Sequence, residues 1–304
     1  MSGRSRGHDY ERGRVGDGAS NSSRRCLRLP GSSTRSHRGI FYFKDMKQLQ
    51  AKTISNVYIT SDFKKLTFDW PQEAGIPRPG QFVTIRAAQA SSPLLRRPFA
   101  FSQYDSQYHY ASMIYQVRGP STELIAGKSS GDMIDIVGAL GNWFEPSGRG
   151  KRHMLIAGGV GLGPMLFYAY DLVANNYDYL LVFGCRESTQ VPASVTFEDL
   201  EKKVICTDDG SDGFKGTTVD YLKTLPDEVI ARSVLYACGP EPMLKACHHF
   251  ALERGVDCYV SMEQTMACGV GACMGCTVKH ASEHHYARVC TDGPIFNSRE
   301  IVWT

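Results

Sequence analysis

Short apolar runs separated by turn residues fill the chain from about Gln48 to Ser147. The runs KTISNVYIT, KKLTFDW, GQFVTIRA, YHYASMIYQV and DMIDIVG are rich in β-branched and aromatic residues, and no long helical period lies between them. Closely spaced strands of this kind are typical of all-β barrels and sandwiches. The pattern therefore predicts a β domain, and a structure with helices running through residues 50–145 would contradict it.

From Lys151 onward the pattern changes to continuously apolar runs that alternate with helix-length segments. The runs HMLIAGG, YLLVFG, KVICTD and SVLYACG have the composition of buried parallel strands, and PMLFYAYDLVANN and EPMLKACHHFALERG have helical length. This alternation predicts an α/β nucleotide-binding domain whose last strand is CYVSME. The residues after it are too few for a hydrophobic core of their own, so we expect a metal or disulfide to stabilise them.

Four segments follow from these patterns, and together they predict a multidomain α+β protein. Residues 1–46 are rich in Ser, Arg and Gly without a hydrophobic period, which predicts a disordered tail. We interpret this tail as an extension ahead of Met46, although its Arg- and Ser-rich start also fits a transit peptide. A β-barrel domain is expected at 47–149, an α/β parallel-sheet domain at 150–262, and a small C-terminal domain at 263–304.

Composition and charge narrow the classes of function. Of the 304 residues, 42% are hydrophobic and 21% are charged, as in ordinary soluble globular proteins. The net charge of +3 arises in the first 45 residues, which hold ten Lys or Arg against four Asp or Glu, so the rest of the chain is mildly acidic. Neither nucleic acid nor an anionic membrane is therefore expected as a partner.

Two further observations point to a compartment. The longest uncharged run, Met154–Tyr170, contains four glycines and a proline, which a lipid-spanning helix rarely accepts. The start of the chain lacks the apolar region of a signal peptide, and ten cysteines in a chain of this length fit a reducing cytosol with most thiols free. We expect a cytoplasmic protein.

Two glycine-containing turns follow predicted strands and open predicted helices. GGVGLGP (158–164) comes after HMLIA, and CGPEPM (238–243) comes after SVLYA. Glycines let the backbone approach a pyrophosphate, and a helix N-terminus supplies oriented N–H groups, although the spacing is not the standard dinucleotide fingerprint. The side chain of Cys238 fits either a place near a nicotinamide or a buried packing position. The predicted nucleotide contacts are Gly158, Gly159, Gly161, Gly163, Cys238, Gly239 and Pro240.

Two motifs of the β domain are candidates for binding a second cofactor. RRPFAFS (96–102) places an arginine ahead of a strand, where it could pair with phosphates, and Phe99 offers a ring for stacking; an ordinary edge-strand arginine is the alternative. RGPSTELIAG (118–127) predicts a turn and a helix N-terminus capped by Ser121 or Thr122. A capped helix N-terminus is also an anion site, so the two interpretations are compatible.

Three cysteines lie within nine positions of the C-terminal segment. Cys268, Cys273 and Cys276 follow the pattern C-x4-C-x2-C, and Cys290 lies further along the chain. Structural zinc sites usually consist of two C-x2–4-C pairs, whereas three crowded cysteines with a distant fourth match the plant-type spacing for a 2Fe–2S cluster. The intervening glycines allow positive φ angles in a loop that wraps a cluster. The spacing favours a 2Fe–2S cluster over zinc.

Nothing in the sequence suggests a nucleophilic triad or a pair of catalytic carboxylates. The nine histidines, including His248–His249 and His284–His285, fit solvent-facing or loop positions better than a site. No catalytic side chain is therefore assigned.

Several longer motifs resemble one group of flavoproteins. They are PGQFV (79–83), LLRRP (94–98), GALGNWF (138–144), TDDGSDGFKGTTVDYL (207–222), MACGVGACMGC (266–276) and CTDGPIF (290–296). With R-P-F, GGVGLGP and CGPEPM they resemble the ferredoxin-reductase-like flavoproteins and, within these, the electron-transfer subunits of NAD-linked dihydroorotate dehydrogenase. The resemblance covers about residues 47–304, and the cysteine segment with CTDGPIF is its most specific part.

The resemblance implies an FAD in the β-barrel domain, an NAD site in the α/β domain and a 2Fe–2S cluster in the C-terminal domain. It also implies a separate FMN-containing catalytic subunit that oxidises dihydroorotate to orotate, in a heterotetramer of two chains of each kind. An FAD can exchange hydride with nicotinamide and single electrons with an iron–sulfur cluster, so this order of cofactors is chemically reasonable. Because Glu187 follows Arg186 after YLLVFG without a basic cluster, we expect NAD rather than NADP.

Residue by residue, the resemblance implies FAD contacts from the RRPFAFS and RGPSTELIAG motifs and cluster ligands from the cysteines. The FAD contacts are Arg97, Pro98, Phe99, Ala100, Gly119, Ser121 and Thr122, and the ligands are Cys268, Cys273, Cys276 and Cys290. The sequence departs from the family at Ala100, where Ser or Thr is usual. One hydroxyl contact to the flavin is then lost or comes from another group such as Ser102.

Two other functions remain open from the sequence. Diaphorase-type subunits of a hydrogenase, a sulfur reductase or a ferredoxin-linked transhydrogenase resemble the same three-module plan. A zinc-stabilised binding module without enzymatic activity is the third hypothesis. CTDGPIF favours the dihydroorotate dehydrogenase subunit.

Overall fold

The computed structural model describes residues 47–88, 92–193, 197, 200–282 and 284–303. The predicted tail, residues 1–46, lies outside the described residues. Within the described part, a closed β-barrel comes first along the chain and a parallel α/β sheet follows it. The predicted fold class is confirmed, and the sequence pattern changes where the barrel gives way to the sheet.

Six antiparallel strands close the barrel in the order β1-β2-β5-β4-β3-β6. The strands are β1 (Gln48–Tyr58), β2 (Phe63–Asp69), β3 (Phe82–Arg86), β4 (Arg97–Asp105), β5 (Tyr110–Gln116) and β6 (Met133–Leu140), and the short helix α1 (Pro120–Ala126) precedes β6. Alternate side chains point inward, because successive residues of a strand face opposite sides. Leu66, Phe68, Phe101 and Ile136 are fully buried in the barrel interior.

Six parallel strands form most of the second domain, in the order β10-β9-β8-β7-β11-β12. These strands are β7 (Arg152–Gly158), β8 (Tyr179–Cys185), β9 (Lys203–Thr207), β10 (Phe214–Lys215), β11 (Ser233–Cys238) and β12 (Cys258–Ser261), and the helices are α2 (Leu162–Ala174), α3 (Thr218–Lys223), α4 (Asp227–Ala231) and α5 (Glu241–Arg254). β7 and β11 lie side by side at the centre and are buried almost throughout, as their unbroken apolar sequences require.

The C-terminal segment packs onto this sheet rather than forming a separate core. It contains the hairpin β13 (Thr277–Lys279) and β14 (Tyr286–Arg288), followed by β15 (Ile295–Asn297), which pairs antiparallel with β12 at the sheet edge. Its buried residues Met266 and Val289 belong to the same hydrophobic cluster as Leu235 of the sheet. The sheet therefore supplies the core that so short a segment lacks.

Helix α2 joins the two domains. Tyr168 on this helix stacks on Phe144 of the segment after the barrel, with ring centroids 5.1 Å apart. A Cβ on Gly163 would lie 3.4 Å from Ser102 and 3.5 Å from Ile114, so glycine at this position lets the helix approach barrel strands β4 and β5 closely. No helix among the residues described is long and apolar enough to span a bilayer.

Candidate functional site

A cleft of about 600 Å³ opens between the barrel and the carboxyl edge of the parallel sheet. Barrel residues line one side, the two glycine turns line the other, and the segment Met262–Met266 lines the end that leads to the cysteines. The volume falls within the range of about 300–1,000 Å³ that is usual for cofactor and ligand sites. We call this the cofactor cleft.

The barrel side of the cleft contains much of the predicted FAD motif. Pro98, Phe99 and Ala100 line it from β4, and Thr122 lines it from α1. The Phe99 ring is held edge-on against Tyr115, with centroids 5.8 Å apart. These residues present an apolar surface and an aromatic ring, which suit a flat flavin ring system.

Other members of the predicted FAD motif lie beside the cleft rather than in its lining. Arg97 begins β4, and its guanidinium donates to the carbonyl of Leu95 (3.1 Å). Ser102, the suggested replacement for the hydroxyl absent at Ala100, is buried against α2, and its hydroxyl has no hydrogen-bond partner among the described residues. The structure thus brings Ala100, but not Ser102, to the cleft.

The turn before α1 is closed by a threonine side chain. Thr122 Oγ1 accepts hydrogen bonds from the backbone N–H groups of Arg118 (2.8 Å) and Gly119 (3.1 Å), and it donates to the Gly119 carbonyl. Of the two predicted capping residues, Thr122 makes the contacts, whereas the hydroxyl of Ser121 is buried and has no partner in the described part of the chain. Thr122 therefore fixes the start of α1 at the wall of the cleft.

On the sheet side, the two glycine turns pack backbone against backbone. A Cβ on Gly161 would come within 2.1 Å of the Cys238 carbonyl oxygen, and one on Gly239 would lie 3.0 Å from Gly158. Gly159 differs, because it has a φ of +54° and the atom nearest to an added Cβ would be Phe63 Cζ, 4.0 Å away. The glycines thus serve two purposes: close contact between the turns, and a positive φ angle at Gly159.

The predicted nucleotide residues therefore divide into groups. Gly161 and Cys238 line the cleft, and Gly158, Gly239 and Pro240 form the contact between the turns. Gly163 packs against the barrel instead. A glycine is needed at this position because α2 comes close to β4 and β5 there, and the sequence motif alone does not show this contact.

Three titratable side chains line the cleft near one another: Cys238, Glu263 and Arg118. Burial raises the pKa of the Cys238 thiol to about 12, with a further contribution from nearby Glu263 and an opposing hydrogen bond to Ser261. The cleft walls around Glu263 likewise raise the pKa of its carboxyl group, against the opposing charge of Arg118. Cys238 is therefore a neutral thiol at physiological pH, and Glu263 connects the sheet electrostatically to the barrel. Sequence reasoning missed Glu263, although its position directly after CYVSM, at the carboxyl end of a parallel strand, was a usable signal.

The four cysteines of the C-terminal segment lie in two pairs. Cys273 lowers the pKa of the Cys268 thiol, and Cys276 raises the pKa of the Cys290 thiol. Four thiols that influence one another in two pairs fit a cluster with two irons.

Backbone N–H groups of the cluster loop, residues 266–276, point at these sulfurs. Val270 donates to Cys268 Sγ (3.4 Å), Gly275 to Cys273 Sγ (3.5 Å) and Gly271 to Cys290 Sγ (3.1 Å). Such donors stabilise thiolates, as iron ligation requires. Gly271 has a φ of +80°, as the wrapped backbone was expected to need.

The thiol pKa values reflect this arrangement. Burial would raise the pKa of Cys268, but hydrogen bonds from the backbone of Val270 and from Cys273 outweigh it and lower the pKa to about 7. Burial and the adjacent Cys276 raise the pKa of Cys290 to about 12. A metal ion binds the deprotonated form of both thiols, so the donor set has the chemistry that a cluster requires.

The loop is supported from two directions. Gly269, with a φ of +71°, lies where a Cβ would be 3.1 Å from Thr84 of the barrel. From the other side, Arg288 Nη1 donates to the Gly271 carbonyl (3.2 Å), while the carboxylate of Asp292 accepts two hydrogen bonds from the same guanidinium (3.1 Å each). The loop is thus fixed against both the barrel and the β14 hairpin.

Two motifs that carried the resemblance contact each other. Asn142 of GALGNWF donates through Nδ2 to the Ile295 carbonyl (2.8 Å), and its Oδ1 accepts from the Ile295 N–H (2.9 Å). Its own backbone N–H donates to the Gly293 carbonyl (2.7 Å). Asn142 thereby binds the end of the barrel domain to the cluster-bearing segment.

Comparison with known proteins agrees with this geometry. The family described as the iron–sulfur cluster binding domain of dihydroorotate dehydrogenase B matches residues 263–302, and the oxidoreductase NAD-binding domain family matches residues 155–249. Among solved structures, an NADH-dependent reduced ferredoxin-NADP oxidoreductase aligns with a TM-score of 0.72 at 28% identity, over 83% of this chain and 90% of that one. A ferredoxin NADP+ reductase from Neisseria gonorrhoeae shares the fold, with a TM-score of 0.57 at 16% identity over 73% and 95%.

Curated relatives are more similar still. Proteins named dihydroorotate dehydrogenase B (NAD+), electron transfer subunit, are 36% identical in Caldanaerobacter subterraneus subsp. tengcongensis, over 84% of this chain and 99% of the relative, and 37% identical in Geobacillus thermodenitrificans, over 82% and 96%. They confirm the resemblance that the sequence motifs indicated. The chain belongs to the family of electron-transfer subunits of dihydroorotate dehydrogenase B.

Proposed function

We propose that this chain carries electrons from an FMN-containing dihydroorotate dehydrogenase catalytic subunit to NAD+, through a 2Fe–2S cluster and an FAD. The observation that carries the proposal is the continuity of the two sites. Met266 lines the cofactor cleft, and the first cluster thiol, Cys268, follows two residues later. One short stretch of backbone therefore belongs to both sites, which suits electron transfer between them.

The residues on each side of the cleft have separate tasks. When bound, FAD supplies the exchange between hydride and single electrons. Phe99 and Ala100 offer it an apolar wall, and Thr122 holds the turn beside it. Across the cleft, Cys238 offers a neutral, compact surface where a nicotinamide could approach, and Gly161 of the first glycine turn lines the cleft beside it.

Acidic residues near the nucleotide edge favour NAD over NADP. Glu187 follows β8, and Asp208 and Asp209 follow β9 at the neighbouring strand end. They would repel a 2′-phosphate, whereas a ribose hydroxyl could donate a hydrogen bond to one of them.

The exposed part of the cluster loop is suited to a partner subunit. Residues 272–275 (Ala-Cys-Met-Gly) are exposed and carry no charge, and Met274 is 55% accessible. An uncharged surface beside a cluster is better suited to contact with another protein than to contact with solvent. We infer a heterotetramer with the catalytic subunit, acting in the cytoplasm in pyrimidine biosynthesis.

A reconstitution experiment tests the proposal. The purified holoprotein is mixed with dihydroorotate and NAD+, and the catalytic subunit is added afterwards. Orotate and NADH should form only after the addition. Orotate formed before it, or absence of orotate after it, would contradict the division of labour.

The similarity to the NADH-dependent reduced ferredoxin-NADP oxidoreductase favours a second candidate, a ferredoxin-linked transhydrogenase subunit. The two functions differ in their partner. Co-purification from the native cell, with identification of the bound subunit, separates them. Capture of an FMN-containing dihydroorotate dehydrogenase subunit supports the first function, and capture of a second nicotinamide-dependent reductase supports the other.

A further inference from the structure

A buried hydroxyl without a partner lies next to the last cluster thiol. Thr291 follows Cys290, and its Oγ1 is inaccessible to solvent and makes no hydrogen bond within the described part of the chain. Leaving a buried hydroxyl unpaired costs about 1–3 kcal/mol, so such groups nearly always have a partner in the functional protein. The partner of Thr291 is therefore expected among groups that bind to the chain.

The position of Thr291 narrows the choice of partner. A Cβ on Gly271 would lie 3.2 Å from Thr291 Oγ1 and 2.8 Å from its Cγ2, so the threonine packs directly on this glycine of the cluster loop. The N–H of Gly271 already donates to Cys290 Sγ. The hydroxyl thus lies beside a backbone position that faces cluster sulfur, and Arg288 keeps that position in place through the Gly271 carbonyl.

We propose that the Thr291 hydroxyl donates a hydrogen bond to a sulfur atom of the cluster and thereby raises its reduction potential. Hydrogen bonds to the sulfurs are one of the factors that set the potential of iron–sulfur clusters. The reduced cluster carries one more negative charge than the oxidised cluster, so the same donor stabilises it more. The inference rests on the proposed 2Fe–2S site and goes beyond it by assigning a residue that is not a ligand.

Two substitutions separate the hydroxyl from the shape of the side chain. Thr291→Val keeps the volume and removes the donor, whereas Thr291→Ser keeps the donor and removes a methyl group. Thr53→Val is the matched control, because Thr53 Oγ1 is also buried without a partner but lies on β1 of the barrel, where Thr53 is fully buried. The holoproteins are compared, and iron and acid-labile sulfide are measured first, which tests the cluster assignment independently.

The decisive measurement is a redox titration of the cluster followed by EPR. Thr291→Val should shift the equilibrium roughly tenfold toward the oxidised cluster, which corresponds to about 59 mV for one electron. Thr291→Ser and Thr53→Val should match the wild type. One proton coupling of the reduced cluster that is lost on exchange into deuterated buffer should be present in the wild type and the serine variant and absent from the valine variant.

Three results would overturn the proposal. One is a wild-type potential in Thr291→Val, and another is an unchanged set of exchangeable couplings. The third is loss of the cluster from Thr291→Ser, which keeps the donor and removes a methyl group, since this would assign the threonine a packing role. A chain with no iron or sulfide even in the wild type would instead refute the proposed cluster itself.

Discussion

We infer that the cluster loop and the two glycine turns bind their cofactors with different parts of the chain. In the cluster loop the side chains would carry the chemistry, as four thiols with backbone donors around them. In the turns the backbone would carry it, because side chains are excluded. Gly161 leaves no room for a Cβ beside the Cys238 carbonyl.

The difference follows from what each cofactor requires. Iron is held by soft thiolate ligands at fixed places, whereas a phosphate is held by N–H groups that must come close to it. The effect of a substitution in the loop should therefore depend on whether the new side chain can bind iron. The effect of a substitution in a turn should depend on whether there is room for a larger side chain. Four experiments test this distinction.

The largest effect is expected at a ligand. Cys276→Ala should reduce iron and sulfide to background and slow electron transfer from NADH to the catalytic subunit by more than roughly 100-fold, since even outer-shell changes cost about 10–100-fold. Reduction of an artificial acceptor through FAD should persist. The control is Cys247→Ala, an equally buried cysteine of α5, which should keep its iron. Full iron content in Cys276→Ala would contradict the role of Cys276 as a cluster ligand.

A substitution in a glycine turn should act through steric crowding. The Cβ of Gly161→Ala would lie 2.1 Å from the Cys238 carbonyl oxygen, and overpacking of this kind costs about 1–3 kcal/mol. We expect kcat/KM for NADH with an artificial acceptor to fall roughly 10–100-fold while the iron content stays unchanged. Gly148→Ala, in open space before β7, should behave as the wild type. Equal kinetics for both variants would show that the turn contact is dispensable.

The connection between the two regions should contribute to stability. Asn142→Ala removes both hydrogen bonds to the Ile295 backbone and should lower the free energy of unfolding by about 2 kcal/mol. Urea denaturation followed by circular dichroism measures the change. Asn175→Ala, an exposed residue at the end of α2 whose side chain donates to Asp171, provides the reference. If both variants lose equal stability, Asn142 has no special role.

The smallest effect is expected at the amino edge of the sheet, away from both regions. Partial burial would raise the pKa of Asp178, but hydrogen bonds from Lys202 and Arg152 outweigh it and hold the pKa below the usual 3.8. The stabilisation is therefore present above that pH and is lost as the pH falls through the lower, folded-state value. All three side chains are more than a third exposed, so Asp178→Asn should cost less than about 1 kcal/mol near neutral pH.

Unfolding curves measured from about pH 2 to about pH 7 test this expectation, because this range extends to both sides of the usual carboxyl pKa of about 4. The difference between Asp178→Asn and the wild type should shrink toward the acid end. A difference that grows on acidification would contradict the assigned sign. Iron content and NADH kinetics, measured near neutral pH, should be the same in Asp178→Asn and the wild type.

Local patterns predicted the architecture well. The change from short strands with turns to continuous apolar runs marks the end of the barrel and the start of the sheet. Both patterns depend only on residues that are neighbours in the sequence, so the sequence is sufficient to recognise them. The cysteine spacing predicted four ligands of one cluster, and their individual roles stay a prediction. The individual FAD and NAD contacts stay predictions.

Relations between distant residues were beyond the sequence. The bonds of Asn142 to Ile295 and the pairing of β15 with β12 connect parts of the chain that no local period relates. Gly163 looked like a nucleotide residue because spacing cannot distinguish a glycine that packs against a barrel from one that faces a phosphate. Ser102 lies two residues after the cleft-lining Ala100 on the same strand, but it is buried against α2.

The edge pairing of β15 has a consequence for the history and engineering of this architecture. The chain leaves the sheet after Ser261 and returns to it at Ile295, and these two residues are paired on neighbouring antiparallel strands. A segment whose two ends lie side by side can be inserted, removed or exchanged with little disturbance to its host. A two-domain reductase could thus acquire a one-electron carrier through a single insertion after its last parallel strand, and a graft of residues 262–294 onto such a reductase would use the same junction.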